Sequence, residues 1–116
     1  MKKDVIDINE ATIREFVETL RPMDKEKRKR VDIGFSYYSK VKVAELFEVR
    51  PKWDDSQEIQ NLPFARIKYY KARNFWKIFW QRGDGSWDPY IPKPTATNLT
   101  EILDIIKEDK YGCFFG

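Results

Sequence analysis

The residues best suited to chemistry are basic and aromatic, and they are concentrated in one segment, residues 59–83. This segment contains no acidic residue, although 35% of the whole chain is charged. Its cations are Arg66, Lys68, Lys71, Arg73, Lys77 and Arg82. Its aromatic residues are Phe64, Tyr69, Tyr70, Phe75, Trp76, Phe79 and Trp80. Because the net charge of the chain is +3, the positive charge is polarised onto this segment and the rest is acidic overall.

The periodicity of the segment predicts two strands, 64–71 and 74–82, joined by a turn around residues 72–74. Alternate residues of a strand share a face. The side predicted to face the core holds Ala65, Ile67, Tyr69, Trp76, Ile78 and Trp80. The side predicted to stay open holds Arg66, Lys68, Tyr70, Phe75, Lys77 and Phe79.

Cations interleaved with aromatic rings on an open sheet are typical of surfaces that bind single-stranded nucleic acid, where rings stack on bases and cations neutralise phosphates. We therefore predict a small non-catalytic binding module with nucleic acid as its ligand. The candidate phosphate-binding residues are Arg66, Lys68, Lys71, Arg73 and Lys77. The candidate base-stacking residues are Tyr70, Phe75 and Phe79.

Two other interpretations of the same hairpin stay open. Aromatic cross-strand pairs stabilise ordinary sheets, and lysines on a wet face protect a sheet from aggregation. Exposed aromatic residues together with arginine also describe the centre of a protein interface. The alternative function is therefore a protein-interaction or self-associating domain.

Carboxylates on two predicted strands allow a third hypothesis, a Mg²⁺-dependent nuclease. Asp32, Glu45 and Glu48 lie on adjacent predicted strands, and Glu48 shares one strand face with Arg50 and Lys52. Such a site needs carboxylates on the metal and a cation on the phosphate. In a chain this rich in charge the spacing arises easily by chance.

Other catalytic centres find little support in the composition. The chain has no histidine and a single cysteine, Cys113, so neither an ordinary zinc site nor a disulfide can form within it. Cys113 lacks a histidine to activate it and is flanked by Phe114 and Phe115, which indicates a small packed hydrophobe. We expect no catalytic residues, no metal and no cofactor.

The elements that would position these residues follow from periodicity and caps. Helices are predicted over residues 8–20 and from Asn98 onward, with capping boxes at Asp7/Glu10 and Asn98/Glu101. Strands are predicted over 31–37, 41–49, 64–71, 74–82 and 87–91, with connectors at 24–30, 54–63 and 94–97. The second strand loses its alternation at residues 46–47, which indicates a bulge or burial on both faces.

These elements predict an α+β fold in one globular domain, residues 1–116. Because consecutive strands usually pair, we expect an antiparallel meander of about five strands with the N-terminal and C-terminal helices packed on it. The hairpin turn at residues 83–85 contains Asp-Gly, and the apolar end of the chain, residues 111–116, is expected to fold back onto the core. No signal peptide or membrane span is apparent, so we expect a cytoplasmic protein without membrane partners.

From about Arg30 onward the chain resembles a bacterial family known only as a domain of unknown function, number 3024. The matching runs are residues 45–53, 70–73, 76–82, Trp87, Tyr90 and 111–116. The family usually carries a histidine after the tryptophan matching Trp87, and here that place is Asp88. The resemblance implies a small standalone domain and brings no known activity, cofactor or partner.

Overall fold

Residues 7–55 and 57–115, which the computed structural model describes, form three helices and six strands. The helices are α1 (Ile8–Leu20), α2 (Lys25–Arg30) and α3 (Leu99–Glu108). The strands are β1 (Asp32–Tyr38), β2 (Val43–Pro51), β3 (Ile59–Tyr70), β4 (Phe75–Gln81), β5 (Trp87–Pro89) and β6 (Thr95–Ala96).

The strands form one antiparallel sheet in the order β1-β2-β3-β4-β5, and β6 adds to β4 beside β5. Each of the first five strands therefore pairs with its neighbour in sequence. This confirms the predicted α+β meander of five strands flanked by an N-terminal and a C-terminal helix. The register of β2 on β3 shifts between Leu46 and Phe47, where the sequence predicted a bulge or burial on both faces.

The two long helices begin and end close to where their caps predict. The Asp7 carboxylate accepts hydrogen bonds from the backbone N–H groups of Asn9 and Glu10 at the start of α1. The Asn98 side chain accepts one from Glu101 at the start of α3, with 2.8 Å between the atoms. These bonds satisfy backbone donors that have no partner inside the helix.

One face of the sheet, here called the inner face, packs against α1 and α3 to form the hydrophobic core. The fully buried centre combines Ala44 and Leu46 of β2, Ile67 of β3 and Ile78 of β4 with helix residues such as Ile102. The opposite face, here called the outer face, carries the other residues of each strand. It has neither α1 nor α3 against it, because both helices bury their apolar stripes in the inner face.

Three predicted connectors turn out to be ordered elements. Residues 25–30 form the short helix α2, since Asp24 caps it by accepting a hydrogen bond from the Glu26 N–H at 2.9 Å. Residues 95–96 of the predicted linker pair with β4 as β6. A run of charges is compatible with a surface helix as well as with a loop, and a two-residue strand is too short to leave a periodic signal.

The predicted loop 54–63 is also partly wrong, because β3 already begins at Ile59. Pro63 is unusual within a strand, since proline cannot donate to a central ladder. In this stretch, however, β3 pairs with β2 alone, and its pairing with β4 begins only at Ala65. Pro63 therefore lies in an edge portion of an otherwise central strand.

The C-terminal segment folds back onto the core, as its apolar sequence predicts. Phe114 is buried with its ring 4.9 Å from that of Tyr90, and the ring of Phe115 lies 5.1 Å from that of Phe64. The Asp109 carboxylate accepts hydrogen bonds from the backbone N–H groups of Phe114 and Phe115, at 3.0 and 2.8 Å. Gly116, the last residue of the predicted segment, lies outside the described residues.

Candidate nucleic-acid interface

The hairpin of β3 and β4 places six of the predicted site residues together on the outer face. Its register sets three pairs directly opposite each other: Arg66 with Phe79, Lys68 with Lys77, and Tyr70 with Phe75. All six side chains are half-buried. Among the intervening residues, Ala65, Ile67, Trp76 and Ile78 are buried, and Tyr69 and Trp80 pack partly buried against the core. The predicted division of the hairpin into two faces is therefore correct.

The other two predicted residues, Lys71 and Arg73, lie in the turn that joins β3 to β4, and both are exposed. The carbonyl of Tyr70 accepts hydrogen bonds from the N–H groups of Arg73 and Asn74, at 3.2 and 2.8 Å. Asn74 adopts a left-handed backbone with φ of 55°, a conformation that asparagine tolerates better than most residues. The turn therefore places two further cations at one end of the hairpin.

Arg66 is engaged by neighbours that the sequence alone did not identify. Its Nε and one terminal nitrogen donate to the same carboxylate oxygen of Glu45, at 3.0 and 2.6 Å. Its guanidinium also lies 4.6 Å from the centre of the Trp87 ring. Glu45 is on β2 and Trp87 on β5, so only the strand register could have revealed them. The charge of Arg66 is thus largely compensated within the protein.

Lys68 and Lys77 differ from Arg66, since neither forms an ion pair with any residue in 7–55 or 57–115. The ammonium of Lys68 lies 5.1 Å from the centre of the Tyr70 ring, and that of Lys77 lies 5.4 Å from that of Phe79. Like charges directly opposite each other across a sheet are destabilising. An anion held between the two lysines would relieve that repulsion.

The aromatic residues of the outer face extend beyond the hairpin. The rings of Tyr70 and Phe75 are 5.7 Å apart and inclined at 56°, which is a favourable tilted contact. On β2, Phe47 lies opposite Gly34 of β1, and a methyl group added at Gly34 would come within 2.7 Å of the Phe47 ring. The glycine thus leaves space for this ring to lie across β1.

The carboxylates of the nuclease hypothesis are not assembled into a metal site. Asp32 accepts two hydrogen bonds from Arg21, each of 2.9 Å, and Glu48 pairs with Arg50 at 3.0 Å. Glu45 pairs with Arg66, as described above. Across the described part of the chain, no three His, Cys, Asp or Glu side chains are grouped so as to hold a metal ion. Each carboxylate has an arginine partner instead.

Lys52, the last residue of that hypothesis, lies beyond the end of β2 and pairs with Glu58 at 2.9 Å. Asp88, at the position where the resembling family usually has histidine, pairs across the β4–β5 hairpin with Arg82 at 3.1 Å.

Cys113 is half-buried, and burial together with the nearby charge of Asp109 raises the pKa of its thiol. A raised pKa disfavours the reactive thiolate.

Comparisons with known proteins identify a family without assigning an activity. No curated protein and no solved structure matches the chain. Among the described residues, no helix is both long and apolar enough to cross a membrane. The model of a family described as "Domain of unknown function (DUF3024)" matches residues 2–116. This match spans nearly the whole sequence, and the chain therefore belongs to the DUF3024 family.

Proposed function

We propose that the outer face of the β3–β4 hairpin binds single-stranded nucleic acid. The observation that carries this proposal is the pair of directly opposed lysines, Lys68 and Lys77. They have no acidic partner in the described ranges, and aromatic rings stand on both sides of them. An uncompensated pair of cations beside stacking surfaces suits a ligand that alternates phosphates with flat rings.

A single strand fits this surface better than a duplex. The rings of Tyr70, Phe75 and Phe79 lie on a sheet and can stack only on bases whose faces are accessible, whereas the bases of a duplex stack on one another. Binding a single strand in this way does not require a helix or a β-ribbon that enters the major groove of a duplex. Neither α1 nor α3 covers this face, because both helices pack on the opposite side of the sheet.

The residues of this surface have unequal roles in the proposal. Lys68 and Lys77 hold a central phosphate, and Lys71 and Arg73 in the hairpin turn extend the cationic track beyond the sheet. Arg66 contributes less positive charge to phosphate binding than the sequence alone suggests, because its ion pair with Glu45 compensates that charge. Its main role is to hold Glu45 and Trp87 in place beside the stacking residues.

The proposal is tested by titrating fluorescent single-stranded DNA and RNA with the protein over a series of salt concentrations. We expect an affinity that falls linearly on a log–log plot as salt rises, because bound phosphates release counterions. A slope near −1.4 would correspond to about two phosphates neutralised on a single strand. Replacing Lys68 and Lys77 together by glutamate should abolish binding.

The matched control carries the same change of charge elsewhere, as Lys107→Glu with Lys110→Glu. Both control lysines are exposed near the C-terminal end of α3, and their replacement should leave the affinity nearly unchanged. The outer-face variant keeps two like charges in opposition, so its thermal unfolding should resemble that of the wild type. If the wild type does not bind at low salt, or if the outer-face variant still binds, the proposal fails.

A second candidate function, protein interaction through the same face, is favoured by the apolar residues of its β1–β2 half. Tyr38 is 59% exposed, and Val43 and Phe47 continue the apolar surface toward β3. Such a patch is suited to a protein interface. A mass that rises with concentration in light scattering, and that Phe47→Lys returns to the monomer value, would support this function.

A further inference from the structure

The loop between β2 and β3 holds a tryptophan almost completely in solvent. Trp53 is 94% exposed. The loop itself is fixed by internal bonds: Lys52 donates its N–H to the carbonyl of Glu58 at 2.9 Å, and the Glu58 N–H donates to the carbonyl of Asp55 at 3.0 Å. We call residues 52–55 and 57–58 the arm tip. The described part of this loop therefore presents a large apolar ring outward.

Two exposed carboxylates give the surroundings of this ring a negative charge. Asp54 and Asp55 follow Trp53 directly and are exposed, while Glu58 is neutralised by its ion pair with Lys52 at 2.9 Å. The face of an indole attracts cations, and neighbouring carboxylates strengthen that attraction. The arm tip is thus suited to a cationic group and poorly suited to the phosphates proposed for the outer face.

The helix α2 supplies the complementary surface on this same protein. Five of its six residues are basic. Lys25, Lys27 and Arg30 are exposed and take part in none of the ion pairs formed among the described residues. A patch of this charge density, next to an arm tip of opposite sign, is complementary in charge to a second copy of the protein.

Topology places the two patches at one end of the sheet. The helix α2 ends at Arg30, and β1 begins two residues later at Asp32, which lies opposite Val49 of β2. The strand β2 ends at Pro51, and the arm tip follows at once. Trp53 is too exposed to be packed against α2 of its own chain, so the adjacent patches remain available to another molecule.

We propose that a second copy of the chain is the partner, with the arm tip of each copy bound to α2 of the other. Two adjacent patches of opposite charge are self-complementary about a two-fold axis, which gives a closed dimer. In this contact, Trp53 packs on the aliphatic stem and charge of a basic side chain, and Asp54 pairs with a second one. Arg30 receives Trp53, because a guanidinium is the more frequent partner of an aromatic ring, and Lys27 receives Asp54.

The test is sedimentation velocity of the full chain over a range of protein and salt concentrations. We expect a monomer–dimer equilibrium that shifts toward monomer as salt rises, because exposed charge pairs are screened over about 10 Å at 0.1 M. Trp53→Ala should weaken dimerisation about tenfold or more, as expected for an interface anchor. Ile91→Ala removes another exposed apolar side chain, 74% in solvent, and should have no effect.

A charge exchange identifies the partner surface. Asp54→Lys and Lys27→Glu should each weaken the dimer, and the two together should restore it, because the exchanged pair regains opposite charges. Asp54 is used because Asp55 accepts a hydrogen bond from the Gln57 N–H that shapes the loop.

Three results would overturn the inference. One is a chain that remains monomeric at high concentration in low salt. Another is a dimer that Lys27→Glu with Arg30→Glu does not weaken. The third is a monomer whose affinity for single-stranded DNA falls on Trp53→Ala, which would assign the arm tip to the nucleic-acid surface. The outer-face variant Lys68→Glu with Lys77→Glu should dimerise normally, so this test and that of the proposed function fail independently.

Discussion

Glu45 sets how much positive charge the outer face offers to a ligand. Its carboxylate accepts hydrogen bonds from two nitrogens of Arg66. Arg66 lies two residues before Lys68 on the same face of β3, so this ion pair is next to the opposed lysines. A bound phosphate must compete with this carboxylate for Arg66. The pair therefore weakens the binding surface and at the same time orders it.

Glu45→Gln should raise the affinity for single-stranded nucleic acid by about three- to tenfold, because a negative charge leaves the site and Arg66 becomes available. The salt slope should steepen by about 0.7 if one more phosphate is neutralised. Fluorescence anisotropy over a salt series measures both quantities. Glu48→Gln removes an equal charge from the same strand, where Glu48 pairs with Arg50, and serves as the control. Equal effects of the two variants would contradict the prediction.

Asp32 and Arg21 form a partly buried ion pair that makes stability depend on pH. The hydrogen bonds from Arg21, helped by one from the Ile33 N–H, hold the pKa of the Asp32 carboxyl below its usual value. A carboxyl whose pKa is lower in the folded state than in the unfolded state contributes stability above its unfolded pKa. That contribution is lost as the pH falls through the folded pKa.

Asp32→Asn should therefore lower the free energy of unfolding at pH 7 by about 1 kcal/mol, a value reduced for the partial exposure of both side chains. The difference from wild type should shrink as the pH falls below about 4. Urea unfolding at several pH values measures it. Asp104→Asn, at an exposed position of α3, should show little difference at any pH. A pH-independent loss in Asp32→Asn would contradict the assignment.

The contacts of individual site residues were the hardest feature to predict from the sequence. Alternation alone predicted the two faces of the hairpin correctly, because burial imposes a period of two on any strand with one wet face. The partners of Arg66 depend instead on the register of β2 and β5 against the hairpin. A shift at Leu46/Phe47 makes that register impossible to count from the turn.

The side chain of Asp109 joins the C-terminal segment to the end of α3. Asp109 follows the last residue of α3 and adopts a left-handed backbone conformation with φ of 45°. Its carboxylate accepts hydrogen bonds from the N–H groups of Phe114 and Phe115. Glycine adopts this backbone without strain but offers no acceptor. The two contributions of Asp109, to the helix end and to the tail, can therefore be separated.

Asp109→Gly should release the tail while α3 remains intact. We expect hydrogen-exchange protection of the Phe114 and Phe115 amides to fall about tenfold or more, since each bond to the carboxylate contributes about 1–3 kcal/mol when its acceptor is charged. Asp109→Asn keeps an acceptor and should give an intermediate loss. Unchanged protection in Asp109→Gly would show that the aromatic contacts alone hold the tail.

Elements with strong periodicity were predictable, and elements defined by context were not. The cap at Asn98 and the helical spacing of the apolar residues predicted α3, whose buried residues are Leu99, Ile102, Leu103 and Ile106. The first part of β3 was missed because Pro63 normally excludes a paired strand, and only the absence of β4 beside it makes the residue acceptable. Propensity describes the preference of a single residue for helix or strand. Whether Pro63 can lie in a strand depends instead on which strands pair with it.

The sheet, α1 and α3 share one core, so a substitution at its centre should lower the stability of the whole domain. Ile78 of β4 is completely buried, directly opposite Ile67 of β3. Ile78→Ala should lower the free energy of unfolding by about 2–5 kcal/mol through lost burial and a residual cavity. Chemical unfolding followed by circular dichroism measures this loss. Ile91→Ala, at an exposed position, should change it by less than about 0.5 kcal/mol; similar losses in both variants would contradict the assignment of the core.

The meander has a kinetic consequence. Each strand from β2 to β5 pairs with the strand before it in sequence, so the sheet can grow by closing short loops. The contact between α1 and α3 joins opposite ends of the chain and pays the largest entropy of loop closure. We therefore expect the hairpins to form early and the helices to dock last. Substitutions at the helix contact should then accelerate unfolding and leave the folding rate nearly unchanged.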